Sequence, residues 1–599
     1  MTVPVPAWDP PWEAKGAPGF VRVTSVMTRD QGCPEQVARK ARPDLYPVAR
    51  APREPSGLGS FPLGLVRDAA LLLLTTPAEA GPAAVRIHDA VAKAAAQSRD
   101  DWPDESVAAA EAGVLGYLEV LESLRAAGEL PESVVVADVV AVQDPEGERT
   151  EFWGWAVHHV SRDGSVREVH LLRWRRAGDV PLGPAEPAFL AHVAGSGFVA
   201  DTSSGWWKPF RPTRSMAQPP AADTVRVRVI GVLDGSSDVR FTGSPQEAEQ
   251  AFLAQVPGTL GRLAGGATRA GRGCGTCNVR HVCEGVPQYP GLLGIAGFST
   301  RLRALSPSDL WTHAACPRQL HLLRDLGLPR ERQEPSDALR RGTAVHDWLR
   351  LAHERGEPCR EADLDANGGA ALHEVLGWSS DDLAARAPYL RQHLALCPWS
   401  DADVTRMVSE VDITAWDTDA NVLFSTRPDA AYLAADGRWV LREIKTLSPR
   451  NLPDDPNDLL VRYPQVAAAV CLLADGYRPD AQPTPGPGRV ELELLGPEAG
   501  RVLVFDAADP VTVLVARTAL AGRVDAWLFD DEHPIGVRPP CATCEVARWC
   551  DRRPADVLDV AAEGLTVPQA TGPDWDVQAP DVVLRDLMGV ASDEEEFPF

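Results

Sequence analysis

The chain has 599 residues, 44% of them apolar and 24% charged, an ordinary globular composition in a length too great for a single hydrophobic core. A formal net charge of -25 excludes a uniformly basic, phosphate-coating surface. The longest apolar run, Val466 to Ala474, is about half of the roughly 20 residues that span a bilayer. The opening MTVPVPAWDPPWEAKG has Pro and acidic residues where a secretory signal has a basic start and an apolar run, so a cytoplasmic protein without membrane contact is expected. In that compartment the eleven cysteines are expected to bind metal rather than form disulfides.

In chain order, the first signal is Cys33 followed by Pro34, and Ile87-His88-Asp89 comes next. A turn at Asp163-Gly164 and the cluster Trp206-Trp207-Lys208 follow. The segment VRVRVIGVLDGSSDVRFTGSPQEAEQAFLAQ reads as strand, turn, strand and a helix opened by the cap Ser244 and Pro245. It leads to Cys274, Cys277 and Cys283 in the spacing C-x2-C-x5-C. Residues Gln288 to Ser299 read as a linker, after which the same order begins again. Cys316-Pro317 opens the second half, VELELLGPEAGRVLVFDAADPVTVLVARTAL carries a helix start at Asp509-Pro510, and Cys541, Cys544 and Cys550 repeat C-x2-C-x5-C. Such internal repetition is sought before local motifs because it fixes the architecture. It divides the chain into residues 1–290, 299–555 and an acidic tail, 556–599.

The second half contains more. Nine arginines lie between Arg301 and Arg350, and a helix carries Arg341-Gly342-Thr343-Ala344-Val345-His346, with Val345, Trp348, Leu349 and Ala352 on one face. In RPDAAYLAADGRWVLREIKTLSP, Pro428-Asp429 and Glu443-Ile444-Lys445 spell PD-(D/E)xK across a hairpin. Alternation in a strand puts Glu443 and Lys445 on one face and Ile444 on the other. Carboxylate oxygens bind the hard divalent cations, Mg2+ or Mn2+, that phosphodiester hydrolysis uses, and an adjacent ammonium can neutralise transition-state charge. The chain has five lysines, and Lys445 is the only one after residue 208. Where Arg supplies nearly every other positive charge, this position keeps a compact ammonium.

Four thiolates suit either zinc or an iron-sulfur cluster. One tight triplet closing on a distant single cysteine resembles the 4Fe-4S staple of the AddB and CRISPR-associated exonuclease families of RecB-like nucleases. That resemblance implies clusters on Cys316, Cys541, Cys544 and Cys550, and on Cys33, Cys274, Cys277 and Cys283. Cys359, Cys397 and Cys471 fit no pattern and read as buried or free thiols. The G-x-x-x-H element of the family matches Gly342 to His346, which implies His346 as a metal ligand beside Asp429 and Glu443. Glu410, in the strand VSEVDITAW, resembles the family's additional acidic residue. Gln465 resembles its helical Gln, although the Tyr expected four residues later is Ala469 here and Tyr463 is the candidate substitute. The fold this implies is α/β, with two tandem restriction-endonuclease-like domains, each a mixed central sheet flanked by helices and closed by a four-cysteine cluster.

Aligning the turns Asp163-Gly164 and Asp436-Gly437 sets the halves 273 residues apart. Ala156 then faces Asp429, His170 faces Glu443, Leu172 faces Lys445 and Ala137 faces Glu410, so the first half reads as an inactive copy. Trp206 and Trp207 are candidates for base stacking. The end, Asp593-Glu594-Glu595-Glu596-Phe597-Pro598-Phe599, resembles the C-terminal tip of bacterial single-stranded DNA-binding proteins, which implies docking to proteins that bind that tip. The leading expectation is a metal-dependent DNA nuclease in repair or in defence against foreign DNA. Without a G-x-x-x-x-G-K-[ST] phosphate loop it would take any unwinding from a separate helicase or ATPase. The alternatives are a non-cleaving DNA-binding scaffold of a helicase-nuclease assembly and a zinc-bound interaction protein.

Overall fold

The computed structural model of the protein describes residues 3–553 apart from short stretches, the longest being 49–57, 77–81, 214–221 and 448–454. The acidic tail and its tip, Phe597 to Phe599, lie outside the described residues. No described helix is long and apolar enough to cross a membrane.

β-Branched runs broken by Gly, Asp and Pro produce short strands, and they assemble twice in the same order. The first half contains β1 (Val21–Thr24), helices α1 (Ala83–Gln97) and α2 (Asp104–Ala126), then β2 (Ser133–Val136), β3 (Val139–Gln143), β4 (Thr150–Trp153), β5 (Val157–Ser161) and β6 (Val166–Arg173). Helix α3 (Ala185–Ser196), β7 (Phe198–Asp201), β8 (Thr224–Gly231), β9 (Ser237–Gly243) and α4 (Pro245–Gln255) complete it. The second half contains β10 (Arg303–Leu305), α5 (Asp337–His353), α6 (Ser380–Leu394), β11 (Met407–Ser409), β12 (Ile413–Asp417), β13 (Val422–Thr426), β14 (Ala430–Leu433) and β15 (Trp439–Thr446). It ends with α7 (Pro464–Ala474), β16 (Arg489–Leu495), β17 (Gly500–Asp506) and α8 (Pro510–Leu528).

The main sheets run β2-β5-β6-β8-β9 and β11-β14-β15-β16-β17. In both, the third and fourth strands are parallel and every other pair is antiparallel. In the second sheet of each half, β1 is parallel to β4 and β10 to β13, while β3 and β12 pair antiparallel with β4 and β13. The two sequence-read helix starts are capped as their residue types require. Ser244 and Glu247 form a capping box, and the Asp509 carboxylate accepts from the N–H groups of Val511 and Thr512.

Strand registers correct one part of the sequence alignment. Val157 pairs with His170 and Ala430 with Arg442, so the displacement is 273 residues in the first strand but 272 in the second. The second hairpin turn is one residue shorter, and one residue is enough to exchange the faces of a strand. Leu171 and Arg173, not His170 and Leu172, therefore stand where the second half has Glu443 and Lys445, with Ala156 at the place of Asp429. Leu171 and Ala156 are buried among apolar side chains of α3 and β8. His170 lies on the other face, bonded to Tyr117 on α2 and to Glu168. Ala137 is outside the described residues.

The expected linker is not a free connection. Leu292 and Leu293 are fully buried in the core of the second half, and Asp417 accepts from the N–H groups of Gly291 and Leu293. An apolar Leu-Leu-x-Ile run gains more from burial than from acting as a spacer. The halves also pack on each other. Ala109 of α2 joins Leu322, Leu326, Val546 and Trp549 around Cys544, and Cys274 packs on Leu423 of β13.

Four histidines of the first half are buried in surroundings that favour the neutral ring. Burial lowers His158 and His192 each to about 4, and it also lowers His159 and His170. In an unfolded chain histidine titrates near 6.5, so between pH of about 6.5 and 4 the unfolded state binds more protons. Stability carried by these groups is complete above pH ~6.5 and is lost as pH falls toward 4. Melting of the full chain by circular dichroism should therefore shift to lower temperature between pH 7.5 and 5, and an unchanged midpoint would refute this account.

Candidate active site

Residue order along two adjacent strands creates the site. Asp429 stands immediately before β14, and β15 carries Glu443 and Lys445 on one face, with Ile444 buried on the opposite face. The Asp429 carboxylate closes the hairpin: Oδ2 accepts from the Ile444 N–H at 2.6 Å, and Oδ1 lies 2.7 Å from His346 Nδ1. His346 reaches it from α5, where Gly342, one turn earlier, faces Thr446 so closely that a Cβ would come within 3.3 Å of its hydroxyl. The Lys445 ammonium is paired with Glu443 Oε1. Gln465, at the start of α7, donates to the same Glu443 oxygen at 3.4 Å, while its own buried Oε1 has no hydrogen-bond partner among the described residues. Tyr463 is buried and close enough to influence Lys445 electrostatically.

The charges are mutually supporting. Burial disfavours the Asp429 carboxylate, yet His346 and Lys445 hold it below the usual range. Burial pushes Glu443 up despite Lys445. His346 and Lys445 lie above their ordinary values because the two carboxylates outweigh the cost of burial. Oxygen and imidazole donors of this kind fit a hard divalent cation.

Glu410 is placed differently from the sequence expectation. The segment VSEVDITAW is not one strand: β11 ends at Ser409, β12 begins at Ile413, and they belong to different sheets. Glu410 sits at the switch with φ +51°, its N–H bonded to the Asp429 carbonyl at 3.0 Å. A left-handed non-glycine residue at this point is held there by its surroundings. Its carboxylate lies 3.9 Å from Arg427.

The cysteines of each expected set come together. Cys316, Cys541, Cys544 and Cys550 line one cavity. Burial pushes the Cys544 thiol up to about 11, with Cys316, Cys550 and Cys541 adding to the shift. Burial likewise raises Cys274, and Cys277, Cys33 and Cys283 add to it. The two triplets share their turns: Cys277 N–H donates to the Cys274 carbonyl and Cys544 N–H to that of Cys541, at 3.2 and 3.4 Å. Among the described residues, neither set draws three sulfurs within 4.8 Å of one another.

Sequence reading missed a third group. Cys359 and Cys397, read as plain thiols, gather with His353 and His393, and all four ligand atoms lie within 4.8 Å of one another. The available signal was H-x5-C followed by H-x3-C. The third thiol in that class, Cys471, is buried in α7. Trp206 packs on Trp153 and on the Arg22 guanidinium, whereas Trp207 is 56% exposed.

Residues 304–551 match the family described as the PD-(D/E)XK nuclease superfamily. The match covers less than half of the chain and contains Asp429, Glu443 and Lys445. No curated protein matches. The crystal structure of SSO0001 is similar over 42% of this chain and 86% of that one, at 14% identity and a TM-score of 0.20, too low a score for any functional argument.

Proposed function

We propose that the protein is a Mg2+- or Mn2+-dependent DNA nuclease of RecB-like type that processes ends or single strands, with Asp429, Glu443 and His346 as metal ligands. The observation that carries this reading is the Asp429 carboxylate, fixed between the Ile444 N–H and His346 at the open end of the Glu443-Lys445 strand. A bound divalent ion would supply charge neutralisation at the scissile phosphate and acidify the attacking water. Lys445 holds a proton next to that position and can stabilise the added negative charge of the transition state. Gln465 braces Glu443 and keeps an acceptor free for water or substrate. Glu410 is the further acidic residue of this reading.

Both cysteine sets are assigned to 4Fe-4S clusters. One tight triplet closing on a distant single cysteine, in the same spacing twice, supports this assignment. The first half is proposed to be a duplicated, inactive copy, supported by the shared strand order and by Ala156, Leu171 and Arg173 at the places of Asp429, Glu443 and Lys445. Exposed Trp207 is its candidate DNA contact, and the Phe597-Pro598-Phe599 tip is proposed to recruit proteins that bind the single-stranded DNA-binding protein's tip. Helicase partners, a repair or defence role and a cytoplasmic location belong to the same reading.

The test is Mn2+-dependent digestion of end-labelled single- and double-stranded DNA by anaerobically purified protein, alongside Lys445→Ala and iron analysis. Cleavage by the wild type only, with iron bound in both proteins, is expected. Equal cleavage by the two removes the assigned site.

A further inference from the structure

We propose that His353, Cys359, His393 and Cys397 hold one zinc ion that pins helix α5 to helix α6, which His393 ties through Glu493 to the sheet carrying the catalytic strand. Each residue is 5% exposed or less, so this is an interior site loaded as the chain folds. His353 Nε2 lies 3.0 Å from His393 Nε2 and 3.8 Å from Cys397 Sγ. A tetrahedral ion with bonds of about 2.0–2.1 Å to nitrogen and about 2.3 Å to sulfur has edges of roughly 3.3–3.8 Å, close to these separations. The N2S2 donor set and compact geometry suit zinc and leave no room for an iron-sulfur cube.

The local sequence builds the site from two helix ends. His353 is the last residue of α5 and Cys359 follows in the next loop, while His393 lies in the last turn of α6 and Cys397 follows it. Both imidazoles present Nε2 to the centre. His393 turns its other nitrogen, Nδ1, to Glu493 Oε1 at 2.6 Å, and Glu493 Oε2 accepts from Arg442 at 3.0 Å. A carboxylate behind the imidazole fixes the tautomer that leaves Nε2 free for metal and is the usual support of a metal-bound histidine. Two imidazole nitrogens and two thiols converging inside an apolar shell of Trp348, Leu349, Leu390, Ile444 and Leu495 would otherwise be left with poor polar partners. A dication satisfies all four.

The site has a place in the mechanism. His346 lies seven residues, two turns, before His353 on the same helix, and Glu493 pairs in register with Ile444, between Glu443 and Lys445. The ion would thus set the attitude of the helix that delivers His346, from the side of the strand opposite the catalytic face. That effect rests on the proposed function, whereas the metal site stands without it.

The test is metal content of the full-length chain grown with zinc and iron, then with cobalt replacing zinc. One zinc per chain is expected, lost in Cys359→Ser/Cys397→Ser with iron retained, and kept in Cys541→Ser as iron falls. The cobalt form should show tetrahedral d–d bands and thiolate charge transfer. Zinc that survives the double substitution, or wild-type protein with no zinc and no tetrahedral cobalt spectrum, overturns the proposal. The wild-type measurement decides even if the variants fail to fold, and it reads the site independently of DNA cleavage.

Discussion

Asp429→Asn is expected to lower metal-dependent DNA cleavage by about 10^3-fold. The carboxylate uses both oxygens at once, for the Ile444 N–H and for His346. An amide keeps only one oxygen: with it toward Ile444, its NH2 faces His346 Nδ1 and forces the ring into the tautomer that accepts there, and in the opposite orientation two N–H groups face each other. The substitution also removes a negative charge that holds His346 and Lys445 above their ordinary pKa values. Metal assistance supplies several kcal/mol of transition-state stabilisation, and each ~1.4 kcal/mol is a factor of ten in rate, which gives the expected size. Asp429 is partly solvent-facing at the start of a strand, so the fold should survive. Single-turnover cleavage at saturating Mn2+, with the melting curve as control, measures the effect. A rate within threefold of wild type would contradict the role assigned to this carboxylate.

The largest expected loss of stability lies one residue before Glu443. Arg442 is 5% exposed, and its guanidinium bonds Glu491, Glu493, the Leu396 carbonyl and the Tyr432 hydroxyl. Arg442→Met removes the shared counter-charge of two buried carboxylates, leaving Glu491 to Arg489 and Tyr432 and Glu493 to His393, and breaking a buried ion pair by removing one partner costs about 3–5 kcal/mol. A chain of this size is not expected to unfold in two states. Amide exchange localised to β15 and β16 is therefore the readout, and protection there should fall by about two to four orders of magnitude. Adding Glu491→Gln should restore part of it, since one stranded charge is then removed.

The hairpin that carries Asp429, Glu443 and Lys445 was legible because its pattern is local: a PD pair, a turn and E-x-K leave few alternatives. Helix starts at Ser244 and Asp509 were legible for the same reason, a cap residue next to Pro. What escaped depends on tertiary position. A one-residue difference in turn length moved His170 to the opposite face from the one expected. The bend at Glu410 divides a segment that reads as one strand because its two parts join different sheets. Gln288 to Ser299 reads as a linker, yet its leucines fill the neighbouring core. The His353 group was hidden because its two pairs sit on separate helix ends and meet only when α5 and α6 pack.

The contact between α2 and the Cys544 shell has a consequence for how this protein can be taken apart. Leu322, Leu326, Val546 and Trp549 are covered in part by Ala109 from the other half, and Arg318 is held by Glu105 of that half as well as by Asp551. Cut free at the sequence boundary, residues 299–555 would carry a raw apolar face beside Cys544 and an arginine missing one of its two counter-charges. The first half therefore works as a fitted cover. A lineage that dropped it would have to rebuild that surface first.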